Sequence, residues 1–165
     1  TVIIAERRVA HPRMIAYSKT GVLIYASEEK AVHSTNYTNA FIEVADDCKT
    51  DVGKLPPEKP EKTVARMQYE MIHDYPYQYT SDDLLFAIYA IRNRIDDAER
   101  DYKRVEFFSK GQPCLRSSPL GKTYGWGIHY DSESRIAIYA RDSEDYNRLK
   151  GDQTLAHLKA MRSSK

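Results

Sequence analysis

The chain has 165 residues, 30% of them charged and 41% hydrophobic, with a formal net charge of +1. That length fits one domain around a single core, and near-neutrality excludes a global field that would draw the protein to nucleic acid or a membrane surface, so any anion site must be local. Cys48 and Cys114 stand far apart with no CxxC spacing, which argues against a disulfide framework or structural zinc and suits a reducing cytoplasm.

No apolar run approaches bilayer-spanning length and no stretch has the pattern of a secretory signal, so the expected location is cytoplasmic with no membrane partner. Asn36-Tyr37-Thr38 matches a glycosylation acceptor, a triplet without meaning unless the chain is secreted.

Residues 1–31 read in two ways. Met14 to Ser27 has two β-rich runs around Lys19-Thr20-Gly21, the pattern of a hairpin. Alternatively, Glu28-Glu29-Lys30 can be encoded by GAG-GAG-AAR, which contains a bacterial ribosome-binding sequence, and Val32 by the alternative start GTG. On that reading residues 1–31 are a translated leader outside the fold, and the domain is 32–165. Removing them takes away five cations and three anions, leaving about −1, so near-neutrality stands.

Ala40 to Ala45 reads as a first strand, rich in β-branched and aromatic residues before the break at Asp46-Asp47. Pro56, Pro57 and Pro60 then exclude helix or central strand. Val64, Met67 and Met71 recur at helical spacing, predicting a helix that stops before Pro76. Thr80-Ser81-Asp82-Asp83 is a helix start, with a hydroxyl cap followed by acids in the first turn. Leu84, Leu85, Ile88, Ile91 and Ile95 continue it as an apolar stripe. Asp96 and Glu99 suggest a second capped start, with Tyr102, Val105 and Phe108 carrying the spacing to a stop at Gly111.

The stretch from Lys110 to His129 holds two Pro, a Cys, the single Trp, a His and three cations, without an acid. Its last part alternates Tyr124, Trp126, Ile128 and Tyr130 with Gly125, Gly127 and His129. With a turn at Asp131 to Ser134 and a returning strand to Ala140, this makes a hairpin whose glycine face lets another group approach. Asp142-Ser143 caps a short helix ended by Gly151, and Leu155 to Met161 leans toward a strand. The expected architecture is a single α+β domain: a small antiparallel sheet with helices from Val64 to Phe108 packed on one face.

Several of these stretches together resemble a known family. Asn36-Tyr37 with Phe41 to Ala45, Tyr79 to Asp83, Lys110 to Leu120, Tyr124 to Gly127 and Lys159 to Ser163 are similar to the bacterial and fungal family catalogued as domain of unknown function 6157. The resemblance covers about residues 33–165 and implies a domain beginning near His33. It implies no activity, substrate or cofactor.

Three functional readings follow from the residues. The first is a binding module for a small anionic ligand, built from Lys110, Gln112, Arg116, Ser117, Ser118, Lys122 and Trp126. Arg offers a planar fork for carboxylate or phosphate, Lys a point charge, and Ser and backbone donors complete the shell. Against it, no G-x-x-x-x-G-K-[ST] or dinucleotide pattern occurs, and Lys110 and Arg116 would equally serve as helix caps or partners for the acids of 96–101.

The second reading is an enzyme with Cys114 as nucleophile or redox thiol, Arg116 favouring thiolate and His129 or His73 as base. The plain alternative is a small buried apolar residue. The third is a protein or nucleic-acid interaction module presenting Tyr75, Tyr77 and Tyr79 on one extended edge with a basic tail; near-neutral charge disfavours nucleic acid. His33, His73, His129 and His157 lack ligand spacing, so no metal is expected, and no motif calls for a cofactor.

Overall fold

A computed structural model of the chain describes residues 13–17, 23–26 and 32–163. Strands β1 (Arg13–Tyr17) and β2 (Leu23–Ala26) pair antiparallel, with a register shift between Met14 and Ala16. The rest of the first 31 residues, with the leader reading, lies outside the described residues.

The sheet that organises the domain starts at β3 (Ala40–Glu43), where every second side chain points to the same face. Helix α1 (Val64–Asp74) follows the proline-rich loop and is capped by the Thr63 hydroxyl, which accepts from the Arg66 N–H. Helix α2 (Ser81–Arg92) begins in a reciprocal capping box between Thr80 and Asp83. It ends earlier than the apolar stripe predicts, because Arg94 turns left-handed at φ 51° and Ile95 folds back to donate to the Ala90 carbonyl. Asp96 precedes a 3-10 turn over Asp97–Glu99 without bonding it through its side chain, and α3 (Arg100–Phe108) stops short of Gly111. Helix α4 (Pro119–Lys122) has Ser118 as its cap and Pro at its first position.

The hairpin forms as β4 (Trp126–Tyr130) and β5 (Ile136–Ala140), with Ile128 opposite Ile138. Asp131 fixes its turn by accepting the Glu133 and Arg135 N–H groups, each at 2.8 Å. Helix α5 (Glu144–Gly151), capped by Ser143, leads to β6 (Ala156–Lys159).

The four strands lie in the order β5-β4-β3-β6. This is a single α+β domain, but its sheet is mixed, since β6 pairs parallel to β3 with Ile42 beside Leu158. The connection explains it: a helix between β5 and β6 returns the chain to the end where β5 began, so β6 runs in the same direction as β5.

The helices also occupy both faces. Ala40, Ile42, Ile128, Tyr130 and Ile136 join Ile72 of α1, Leu84 and Ile88 of α2, Leu115 and Leu120 in the main core. On the other face Phe41 and Val44 pack with Tyr146 and Leu149 of α5. Gly127 permits this second layer, because a Cβ there would stand 2.6 Å from both the Phe41 and Tyr146 rings. A third cluster, Phe86, Ala90 and Phe108, joins α2 to α3.

A candidate thiol corner at the start of helix α2

The acid-free stretch is held by its own polar groups. Gln112 donates to the Phe107 carbonyl at the end of α3. Cys114 starts a 3-10 turn over Leu115–Ser117, and the Ser117 hydroxyl closes it onto the Cys114 carbonyl at 2.8 Å. Leu115, fully buried, anchors the turn in the core. Ser118 accepts from the Leu120 N–H and donates to buried Gln68 of α1 at 2.6 Å. Trp126 donates through Nε1 to the Lys54 carbonyl and packs edge-on against Tyr69.

Ser117, Ser118, Gln112 and Trp126 therefore spend these donors on internal acceptors. Lys110 lies exposed after α3, and Lys122 closes α4.

Arg116 and Cys114 do meet, through a residue distant in sequence. The Tyr37 hydroxyl donates to Cys114 Sγ at 3.4 Å. That hydrogen bond and burial hold the Tyr37 proton on, raising its pKa, while the Arg116 guanidinium at the same hydroxyl partly opposes them. Arg116 is fixed from behind: its Nε donates to the Lys159 carbonyl at 2.8 Å, and its own carbonyl accepts the Met161 N–H.

Beneath this, Tyr37 packs edge-on against Tyr130, ring centroids 5.5 Å apart. A clasp of hydroxyls then ties 34–36 to the first turn of α2. Asp82 accepts the Ser34 hydroxyl at 2.7 Å and both the N–H and hydroxyl of Thr35 at 2.8 and 2.7 Å. Thr35 also shares a 2.6 Å bond with Ser81, and Asn36 accepts from Ser81 and from the Asp82 N–H.

Tyr37, Tyr130, Ser81 and Asp82 are the residues that sequence reasoning left out of the site. Their signal was the Asn36-Tyr37 and Thr80 to Asp83 stretches, which read as family marks and a helix cap.

His129 is not part of this corner. It neighbours Tyr130 on β4 and so points to the opposite face. There its Nδ1 lies 2.7 Å from the Tyr77 hydroxyl, which is 2.8 Å from that of Tyr139. The pair of Cys114 as nucleophile and His129 as base is not assembled, because adjacent strand residues face opposite ways. His73 stacks on Tyr69 beside Trp126.

Tyr77 adopts φ 57°, turning inward while Tyr75 stays exposed and Tyr79 packs on the main core. The three tyrosines therefore do not share one edge. Among the described residues no group of three or more His, Cys, Asp or Glu side chains could hold a metal ion, and no helix is long and apolar enough to cross a membrane.

Burial lowers the His129 pKa, so the folded state prefers the neutral ring, which shares a hydrogen bond with the Tyr77 hydroxyl. The unfolded chain therefore binds a proton first as pH falls below about 6.5, the ordinary value for histidine. Stability is expected to be level above that pH and to decline as pH drops toward the folded value. Urea midpoints at pH 7.5 and 5.0 check this: the drop should be smaller in His129→Gln, and an equal drop in both would assign it elsewhere.

The fold defines a small α+β domain in which Cys114 lies beside Tyr37 near the start of a helix. The family model described as a family of unknown function (DUF6157) matches residues 32–165, and the chain belongs to that family. Neither a curated protein nor a solved structure matches it.

Proposed function

We propose that the protein is a cytosolic binding module for a small anionic ligand, with Arg116 as its central cation and Tyr37 and Cys114 beside it. The observation that carries this reading is the way Arg116 is held. Its Nε is fixed on the Lys159 carbonyl, and its charge acts on Tyr37, whose hydroxyl donates to the Cys114 sulfur. A planar fork oriented in advance loses less freedom when it takes a carboxylate or phosphate.

Inorganic phosphate and simple carboxylates are the probes. At a hundred times its dissociation constant a ligand adds about 2.7 kcal/mol, so a clear rise in Tm is expected. Arg116→Ala should abolish it and Arg116→Lys should weaken it. A shift that survives in Arg116→Ala would move the ligand elsewhere.

The contact between Tyr37 and Cys114 favours a second reading, an enzyme with Cys114 as nucleophile or redox thiol. Rapid alkylation of Cys114 in the native protein supports it, whereas alkylation only after unfolding counts against it.

A further inference from the structure

A groove of about 460 Å³ runs between helices α1 and α2, within the range of about 300–1,000 Å³ usual for small-molecule sites. Its walls follow from helical spacing. Leu85, Ile88 and Arg92 stand three and four residues apart on one stripe of α2, and Val64 and Gln68 stand one turn apart on α1. Val64, Leu85 and Ile88 pack on the main core and give the groove an apolar surface.

Gln68 is the group here whose hydrogen bonds the fold leaves incomplete. It is only 3% exposed, yet it lines the groove. The Leu120 N–H donates to the Ser118 oxygen, and the Ser118 proton goes to Gln68 Oε1 at 2.6 Å. This turns the acceptor side of the carboxamide toward Ser118 and leaves its Nε2 donors for the groove, without a partner among the described residues. Buried polar groups are nearly always paired, so an acceptor brought by a ligand would complete the set. Arg92, exposed in the last turn of α2, likewise makes no hydrogen bond or ion pair with any described residue. An amide donor and an unpaired guanidinium together suit a carboxylate, and the apolar surface suits hydrocarbon. Glu61 lines the same groove and repels a second negative charge.

We infer that this groove binds a monocarboxylate with an apolar body. The carboxylate lies at Gln68 Nε2 and Arg92, and the hydrocarbon lies on Val64, Leu85 and Ile88. The site shares no residue with the Arg116 corner and goes beyond the reading made there.

Isothermal titration calorimetry of the full chain with sodium octanoate tests it. Suberate, which puts a second carboxylate on the same chain length, and octanol, which carries no charge, are the comparisons. Octanoate should saturate one site, and the other two should bind at least about tenfold more weakly, the worth of a charge-assisted contact. Arg92→Ala changes an exposed side chain, so it should keep the native circular dichroism while weakening octanoate by about tenfold. Gln68→Glu keeps an acceptor for Ser118 but exchanges the donor for a carboxylate, and should abolish binding. If that variant does not fold, Arg92→Ala decides.

No octanoate binding, an affinity unchanged in Arg92→Ala, or suberate or octanol binding as tightly as octanoate overturns the proposal. Arg116→Ala should bind octanoate like the parent, and a loss there would place the carboxylate at Arg116 and overturn the groove site. Octanoate binding at the groove without a thermal shift from phosphate or simple carboxylates removes the Arg116 reading alone.

Discussion

Gly125→Ala is expected to cost about 4 kcal/mol of stability, the sum of a strained backbone and an overpacked contact, each worth roughly 1–3 kcal/mol. Gly125 has φ 74°, where a side chain is penalised whatever the surroundings. The surroundings add to it: a Cβ would stand 2.4 Å from the Val52 carbonyl oxygen and 3.0 Å from Thr50 Cγ2. Neither neighbour is free to withdraw. The 50–54 loop is bonded to this strand where the Lys54 N–H donates to the Tyr124 carbonyl and Trp126 donates to that of Lys54, and Gly125 itself accepts the Arg141 N–H. Domains of this kind have about 5–15 kcal/mol in total, so the variant should melt far below the parent or fail to accumulate folded. Urea denaturation measures the loss, with Gly111→Ala as control. That glycine has open space around it, and alanine there should leave the midpoint unchanged or slightly raised. Similar midpoints for both variants would refute the close approach of the 50–54 loop.

Phe41→Ala is the second large effect, with an expected loss of about 3–5 kcal/mol for a fully buried aromatic truncated in a packed layer. Its ring is edge-on to Tyr146 at 5.1 Å and fills the space over Gly127. The layer between the sheet and α5 is small, built around Phe41, Val44, Tyr146 and Leu149, so little can move in to fill the void. Hydrogen exchange distinguishes the location: amides of α5 should lose protection more than those of α2, which packs on the other face. A uniform loss would mean that the two faces unfold as one unit.

Much of this layout is written in local pattern. The Thr80 cap, the stop before Pro76, the alternation of β4 and the Ser143 start are each set within one turn or one strand, where capping chemistry and period-two burial act directly on neighbouring residues. What local pattern leaves out is which elements meet. Nothing around Leu158 states that β6 would lie parallel to β3, because that depends on α5 crossing the sheet. Likewise the apolar residues of α5 do not say which face they will cover.

The candidate site divides the same way. Cys114 and Arg116 stand out by composition, and they do share a corner. Tyr37 comes to them only through the fold, and the separation of His129 from Cys114 follows from strand parity once Tyr130 faces the helices. Ser118 and Gln112 read as ligand donors because their internal acceptors, Gln68 and the Phe107 carbonyl, lie on other elements.

The parallel strand β6 also sets an order of events during synthesis. Its bonds to β3, from the Ala156 N–H to the Asn39 carbonyl and from the Ala160 N–H to that of Glu43, join stretches from opposite ends of the domain. On a ribosome β3 emerges early and waits with one edge open, a template for unwanted pairing. Closing so long a loop is among the slower steps a small domain can take. Since Arg116 is oriented by the carbonyl of Lys159, the guanidinium can take up that orientation only after that closure. A nascent chain cut short before β6 would therefore expose a sticky edge and lack a fixed Arg116, so the thiol corner forms only once β6 is in place.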